Sequence, residues 1–235
     1  MSKTSINFKK ESEYIENDSV FHRFKRRLTY SKPLSLIKKY KKSHKNLTAL
    51  DVGIGSGYFM YSFKKTFPSA QITGIEYDRR NIEFAKKITG NLDIHQGNAE
   101  DFNLNRKYDV ISSFQVIEHL YNAENFLKNI KKHLDDDGIA IITTPNLHGN
   151  GASYMGDNWS GYREDHINLK GFDEWIALIK SQRFEILYAG STFFSGIPIM
   201  NKLPFAIINW FFLLVFGSLR WKKGESFICV FKNKK

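Results

Sequence analysis

One cysteine, Cys229, stands in 235 residues. A lone thiol excludes an intramolecular disulfide and suits a reducing compartment. Met1 to Lys10 is polar with no apolar stretch behind it, so no cleavable secretory leader is expected. Nor does any apolar run reach the roughly 20 residues that cross a bilayer. The longest, Leu203 to Leu219, has 17 residues and is broken by Pro204, Asn209, Gly217 and Ser218. A clustered zinc-ligand set, an RNA-binding signature and an internal repeat are also missing. The expected location is cytoplasmic, with membrane association as the one addition to weigh. Disorder is excluded by a hydrophobic content of 42%, and the length suits one α/β domain with embellishments.

Acids are scarce, 24 against 35 Lys and Arg, which gives a net charge of +11. The excess is concentrated at the start, where thirteen Lys or Arg of residues 1–50 face four acids. Such a segment can meet nucleic acid or anionic lipid, or can simply be a solvated helix face. Residues 1–18 read as a polar arm. From Ser19 to Tyr30, Phe21, Phe24 and Leu28 share one helical face. Ser31-Lys32-Pro33 then stops that helix and begins another, on which Leu34, Ile37 and Tyr40 can pack.

The chain is organised around Leu50 to Phe59, LDVGIGSGYF. A short apolar run ends in Asp51, three glycines (Gly53, Gly55, Gly57) break it, and a helical pattern resumes at Tyr58. A buried strand leaving through a glycine turn into a helix is the first unit of a doubly wound α/β sheet. Without Cβ atoms the turn admits a ligand to its backbone amides. A helix start alone would favour phosphate there, but Asp51 repels phosphate and attracts an ammonium. The register is also not the G-x-G-x-x-G of dinucleotide binders. This stretch resembles the first motif of the class I S-adenosylmethionine-dependent methyltransferases, in which the loop lies along the methionine part of the cofactor.

The later motifs extend the resemblance. Gln71 to Tyr77 reads as a second strand with Glu76 at its carboxyl end, 25 residues after Asp51. An acid there can accept both ribose hydroxyls, of NAD as well as of S-adenosylmethionine; the spacing is that of the family's second motif, and Tyr77 beside it joins the implied cofactor set. After a third strand, Leu92 to Gln96, Gly97-Asn98-Ala99 is similar to the family's Gly-Asp-Ala. The resemblance implies that Asn98, whose side-chain carbonyl can replace the usual acid, meets the adenine amino group beside Ala99. Tyr108 to Phe114 is a fourth strand leading into Gln115-Val116-Ile117-Glu118-His119-Leu120. That ending resembles the branch containing the ubiquinone-biosynthesis O-methyltransferases, and implies Phe114 and Gln115 at the cofactor. Some members have Glu-x-x-Glu-His here and bind a divalent metal through it. Gln115 takes the place of the first Glu and is a poorer ligand, so no resident metal is expected. Mg²⁺ or a similar ion on Glu118, His119 and a distant histidine is the weaker option.

Asn122 to Leu134 reads as an amphipathic helix, Asp135 to Gly138 as a tight turn with solvated acids, and Gly138 to Thr144 as strand five. Leu147 to Lys170 is a long polar and aromatic loop at the edge where ligands bind in such sheets. Trp159, Tyr162, Arg163, Glu164, Asp165 and His166 are its candidates for holding a substrate. His166 is the preferred general base, because an imidazole near neutrality suits proton removal from a hydroxyl; His119 competes for the role. A helix, Phe172 to Ser181, and strand six, Arg183 to Gly190, follow. The last strand waits until Ser226 to Lys232, behind an apolar insertion at 195–224.

The expectation is thus a Rossmann-like α/β fold: a seven-stranded, mostly parallel sheet with an antiparallel last strand and helices on both faces. Residues 1–46 would form a basic arm and cap helices, and 47–235 the methyltransferase domain. The implied cofactor is S-adenosylmethionine, and the implied reaction is methylation of an oxygen on a small-molecule, glycan or lipid-linked acceptor. The insertion is read as a lid, a homodimer contact or an in-plane membrane helix with Arg220, Trp221, Lys222 and Lys223 at the headgroups. An RNA methyltransferase and a non-catalytic, membrane-associated cofactor binder are the alternatives; the lack of an added RNA-binding module argues against nucleic acid as a partner.

Overall fold

The computed structural model describes residues 20–90, 92–192, 202–215 and 217–235, and the side chains of all but 20–28, 210 and 212–215 among these. The arm at 1–18 lies outside the described residues. Helix α1 (Val20–Tyr40) is followed by β1 (Thr48–Val52), α2 (Tyr58–Thr66), β2 (Gln71–Glu76), α3 (Arg79–Thr89), β3 (Asp93–Gln96) and β4 (Tyr108–Phe114). A 3₁₀ turn (Ile117–His119) leads to α4 (Ala123–His133) and β5 (Leu134–Pro145). Then come α5 (Asn150–Met155), a second 3₁₀ turn (Gly156–Asn158), α6 (Phe172–Ser181), β6 (Phe184–Thr192), α7 (Phe205–Val215), β7 (Ser218–Leu219) and β8 (Ser226–Asn233).

These strands make one eight-stranded sheet in the order β3-β2-β1-β4-β5-β8-β6-β7. Strands β3, β2, β1, β4 and β5 run parallel, and β8 is antiparallel to both its neighbours. Alternation along each strand feeds two cores. Leu50, Ile111, Ala140, Ile142, Phe227 and Phe231 point to one face, under α4 and α6 (Phe126, Ile130, Trp175, Ile179). Ala49, Val110, Ile139, Ile141, Ile228 and Val230 point to the other, under α1, α2 and α3 (Ile37, Phe63, Ile82). Strands covered on both faces read as near-continuous apolar runs, which is why β1, β4 and β5 stand out in the sequence. Since β2 follows β1 to one side and β5 follows β4 to the other, the order switches between β1 and β4. Their carboxyl ends flank a crevice, the usual ligand position in such sheets.

Three expectations need correction. The sheet has eight strands, because Ser218 and Leu219 pair with Thr192 and Ser191. The apolar run 203–219 is therefore not one element: Gly217 takes φ +56° and turns the chain from α7 into β7. Second, Pro33 does not divide the N-terminal helix; it lies inside α1. An interior proline costs about 3 kcal/mol, and burial of Leu36 and Ile37 with the packing of Tyr30 on Phe59 and Phe114 offsets it. Third, Asp135 to Gly138 is not a separate turn but a bulge within β5, where the register jumps from Tyr108↔Leu134 to Val110↔Ile139. Its acids are exposed, as expected of solvated groups.

Among the described residues no helix is long and apolar enough to cross a membrane. Helix α7 has 11 residues, about 16 Å at 1.5 Å per residue.

Candidate active site

The crevice begins at the glycine turn. Gly53, Gly55 and Gly57 take φ of +76°, +50° and +76°, a region that side chains with a Cβ rarely adopt. The amides of Gly53 and Ile54 both donate to the Ile75 carbonyl (2.8 and 3.0 Å), which ties the turn to β2. A Cβ on Gly53 would stand 2.4 Å from Val116 Cγ2, whereas one on Gly55 would meet nothing within 4 Å. The turn is thus packed against the chain after β4 on one side and open at Gly55.

Two carboxylates lie at this edge. Asp51 is buried and accepts a hydrogen bond from Ser112 Oγ at 2.6 Å. Burial pushes its pKa up to about 7; the serine opposes the shift and the charge of Glu76 adds to it. Glu76, also buried, accepts from the Gly55 amide at 2.8 Å and from the Tyr77 and Asp78 amides at 2.9 Å. Burial still holds its pKa above the usual carboxylate range, against the pull of those amides and of Asn81. Neither acid is ion-paired among the described residues.

The remaining predicted cofactor residues frame the same edge. Phe114 packs edge-on against Phe59, with ring centroids 4.3 Å apart. Gln115 takes φ +55°, and its Nε2 donates to Thr143 Oγ1 at 3.2 Å. Past β3, Ala99 is buried, while the Asn98 Oδ1 accepts from the Glu100 amide in a local turn. Tyr77 is 66% exposed, and its backbone is held at both ends, the amide donating to Glu76 Oε1 and the carbonyl accepting from Gln96 Nε2 at 3.1 Å.

Beside the crevice a cavity of about 340 Å³ opens between the chain after β4 and the loop after β5. Gln115, Glu118, His119, Trp159, Arg163 and His166 are among its walls. The loop is pinned by the Asn168 amide, which donates to the Glu118 carbonyl at 2.9 Å. This brings His166 to His119, with ring centroids 4.7 Å apart. Nδ1 of His119 lies 3.0 Å from the Asp165 carbonyl, and Nδ1 of His166 lies 2.7 Å from the Gly161 carbonyl. Burial lowers the pKa of His166; the Gly161 carbonyl resists this and the neighbouring His119 reinforces it. Asp165 is bound through both oxygens by Arg163 (2.9 and 2.8 Å), which holds it below the usual range although burial opposes this. Glu118 is fully buried; its Oε2 accepts from Thr144 Oγ1 at 3.0 Å, and Oε1 has no hydrogen-bond partner among the described residues. Burial pushes its pKa to about 8, with Thr144 and Arg163 working the other way.

Glu118, His119 and His166 place one donor atom each within 4.8 Å of one another. Sequence order put the third of these 47 residues past the second. Two other wall residues escaped the sequence reading. Glu225 accepts from Trp159 Nε1 at 2.9 Å, a partner 66 positions away, and Ser226 opens β8. No local pattern marks either. Trp159, expected to hold substrate, is largely spent as a buried strut beneath that cavity, while Tyr162 and Glu164 are exposed.

The sequence profile of the family described as "Methyltransferase domain" matches residues 21–188, across the switch point and the cavity loop. The chain belongs to this family. Among curated relatives, the methyltransferase domain is 32% identical over 125 residues to a ubiquinone biosynthesis O-methyltransferase of Rickettsia conorii (51% of this chain, 43% of that one). It is 30% identical over 113 residues to a malonyl-[acyl-carrier protein] O-methyltransferase of Bacillus cereus (47% and 42%). The matches thus span less than half the length of these relatives. In fold it is similar to an S-adenosylmethionine-dependent methyltransferase of Clostridium acetobutylicum, with a TM-score of 0.65 and 11% identity over 97% of this chain and 99% of that one.

The residues fit the cofactor that this family implies. Two buried, unpaired acids favour a ligand bringing an ammonium and hydroxyl donors, and disfavour a pyrophosphate. The open side of Gly55 leaves room against the turn.

Proposed function

We propose that this methyltransferase domain transfers a methyl group from S-adenosylmethionine to an oxygen of a small-molecule or lipid-linked acceptor. The observation that carries the reading is adjacency: the carboxylate-flanked glycine turn and the polar cavity share one sheet edge, with Gln115 between them. In the reaction a C–O bond forms, the S–C bond breaks with its electron pair staying on sulfur, and the hydroxyl proton leaves the acceptor. The sulfonium makes the methyl electrophilic when bound, so the protein's share is alignment and exclusion of water. Asp51 and Glu76 hold the donor in this reading. Tyr30, closing over Phe59 and Phe114, shields that edge. The cluster of Glu118, His119 and His166 receives the acceptor oxygen, and the hydroxyl proton passes to the imidazole of His166, which burial keeps neutral and so able to accept it.

A lipid-linked acceptor is supported by the insertion. On α7 and just before it, Leu203, Phe205, Ile207, Ile208 and Phe211 are exposed. The chain then returns through Arg220 to Glu225 into the cavity wall, where Asn146 Nδ2 donates to the carbonyls of Lys222 and Gly224 (2.8 Å each). An apolar helix face, a cationic rim and a polar pocket thus follow one another within about 20 residues, as suits a headgroup read at a membrane surface. The test is methyl transfer from labelled S-adenosylmethionine to organic-phase and aqueous fractions of a cell extract. Label recovered as a methyl ether or ester in the organic phase is expected. Label confined to nucleic acid would refute the assignment.

A further inference from the structure

We propose that Lys32, Lys39 and Arg220 form a binding site for the phosphate of an anionic phospholipid, beside the apolar surface of α7. The three cations converge on two phenol rings from elements far apart in the chain. Lys32, inside α1, stands over the Tyr188 ring of β6 with Nζ 5.7 Å from its centroid, and Arg220, just past β7, stands over the same ring at 5.5 Å. Arg220 also donates to the Tyr40 hydroxyl at 3.4 Å, and Lys39 Nζ lies 5.4 Å from the centroid of that second ring. An aromatic face offsets part of the mutual repulsion of such cations but carries no net charge. Among the described residues no carboxylate pairs with any of the three, although nearby cations are paired: Lys41 with Asp109 at 2.8 Å and Lys222 with Asp173 at 2.7 Å. Nor can the contributing segments supply an acid, since neither residues 19–50 nor residues 186–224 contain an Asp or Glu. Burial, with Lys39 nearby, holds the Lys32 pKa below the usual lysine value. Three cations around two rings thus lack an anion.

The ligand follows from what borders the cluster. A phosphate can take the fork of a guanidinium through two oxygens and the point charge of an ammonium through another. Helix α7 lies against α1, and on it and just before it Leu203, Phe205, Ile207 and Ile208 are exposed. Cations next to exposed aliphatic and aromatic side chains match an interface in which headgroup phosphates lie above acyl chains. A nucleic acid would supply phosphates but no partner for those aliphatic groups, and it needs exposed rings on which to stack its bases. Tyr188 is 6% exposed, and its hydroxyl donates to the Ser218 carbonyl at 3.2 Å, so its ring serves the cations and not a base. The basic N-terminal helix and the apolar insertion thereby acquire one use in common, because Arg220 brings the end of the insertion onto α1. None of the three cations lines the cavity. The site is therefore independent of the proposed methyl transfer and of whether the acceptor is itself a lipid.

The test is flotation of the full-length protein with vesicles of phosphatidylcholine alone and of phosphatidylcholine mixed with phosphatidylglycerol, at fixed ionic strength. S-adenosylmethionine affinity is measured on the same preparations as evidence of folding. Binding to the mixed vesicles is expected to be tighter by about tenfold or more. A cation near an anionic surface strengthens binding about fivefold. Lys32→Gln and Arg220→Gln should each weaken binding to the mixed vesicles by about that factor and together by more, with S-adenosylmethionine affinity unchanged. Lys45→Gln, at an exposed lysine outside the cluster, should weaken it by less than about twofold. Equal losses at Lys45 and at the cluster would reduce the effect to overall charge and overturn the site. Failure to float, or flotation that ignores phosphatidylglycerol, would overturn it too. Saturable binding of inorganic phosphate with none to vesicles would overturn the lipid as the ligand, as would binding of a single-stranded oligonucleotide that the same substitutions abolish.

Discussion

Replacing Glu76 with Gln separates the two uses assigned to that carboxylate. In the fold its Oε2 accepts the Gly55 amide and its Oε1 the Tyr77 and Asp78 amides. Glutamine keeps one oxygen, which can serve the latter pair, and sets an NH₂ against Gly55. A buried donor facing a donor costs about 1–3 kcal/mol. Part is returned, because the parent's buried charge is itself disfavoured, as its raised pKa shows. A net loss of about 1–2 kcal/mol lowers the melting temperature by about 2–8 °C for a chain of this size. Binding should suffer more. Hydroxyl bonds to a charged acceptor contribute about 1.5–3 kcal/mol each, so S-adenosylmethionine affinity falls about tenfold to a hundredfold or beyond. Scanning calorimetry and isothermal titration on the same preparation read both. An unchanged affinity would refute the placement of the ribose at Glu76, and an unchanged melting temperature would refute its grip on the glycine turn.

Further outcomes follow from other residues. Gly53→Ala sets a methyl 2.4 Å from Val116 Cγ2 at φ +76°, so a loss of about 2–4 kcal/mol is expected from chemical denaturation, from combined strain and overpacking. Folding raises the Asp51 pKa to about 7, which means the native state holds a proton the unfolded chain has released. Stability is therefore greatest below about pH 4 for this group and is lost as pH rises toward 7, by up to roughly 4 kcal/mol. Asp51→Asn should flatten that part of a stability–pH profile measured by urea unfolding. Ammonium binding favours the charged acid, so S-adenosylmethionine affinity in the parent should rise with pH through 7 and not in the variant. Serine at Phe205, Ile207, Ile208 and Phe211 should abolish co-flotation with anionic vesicles; retention of vesicle binding would remove the membrane-surface reading of α7.

How much of this was legible in the sequence depends on where partners lie along the chain. The glycine turn, Asp51 and Glu76 could be read because each sits at the end of a strand buried on both faces, and such strands are continuous apolar runs. Strand β4 was bounded to the residue, and α4 was legible through its amphipathic pattern; that Asn122 stands outside it as a cap, accepting from the Asn125 amide, came only with the structure. The α1 boundary failed because local proline chemistry was overruled by burial of Ile37, a tertiary effect. Strand β7 was invisible: two residues carry no period and pair only because β6 runs past them. The cavity was half legible. His119 and His166 were singled out by residue type, but their meeting depends on a loop tied down by the Asn168–Glu118 backbone bond. Glu225 was missed because its reason for being there, the Trp159 indole, is remote in sequence. The insertion announced its apolarity but not its division into α7 and β7, which Gly217 imposes.

The most direct test of a sulfonium nucleoside at the ends of β1 and β2 is a pair of calorimetric titrations of the unmodified protein, with S-adenosylmethionine and with NAD. One molecule of S-adenosylmethionine per chain and no heat from NAD are predicted. Saturable NAD binding, or no heat from S-adenosylmethionine, would contradict the account.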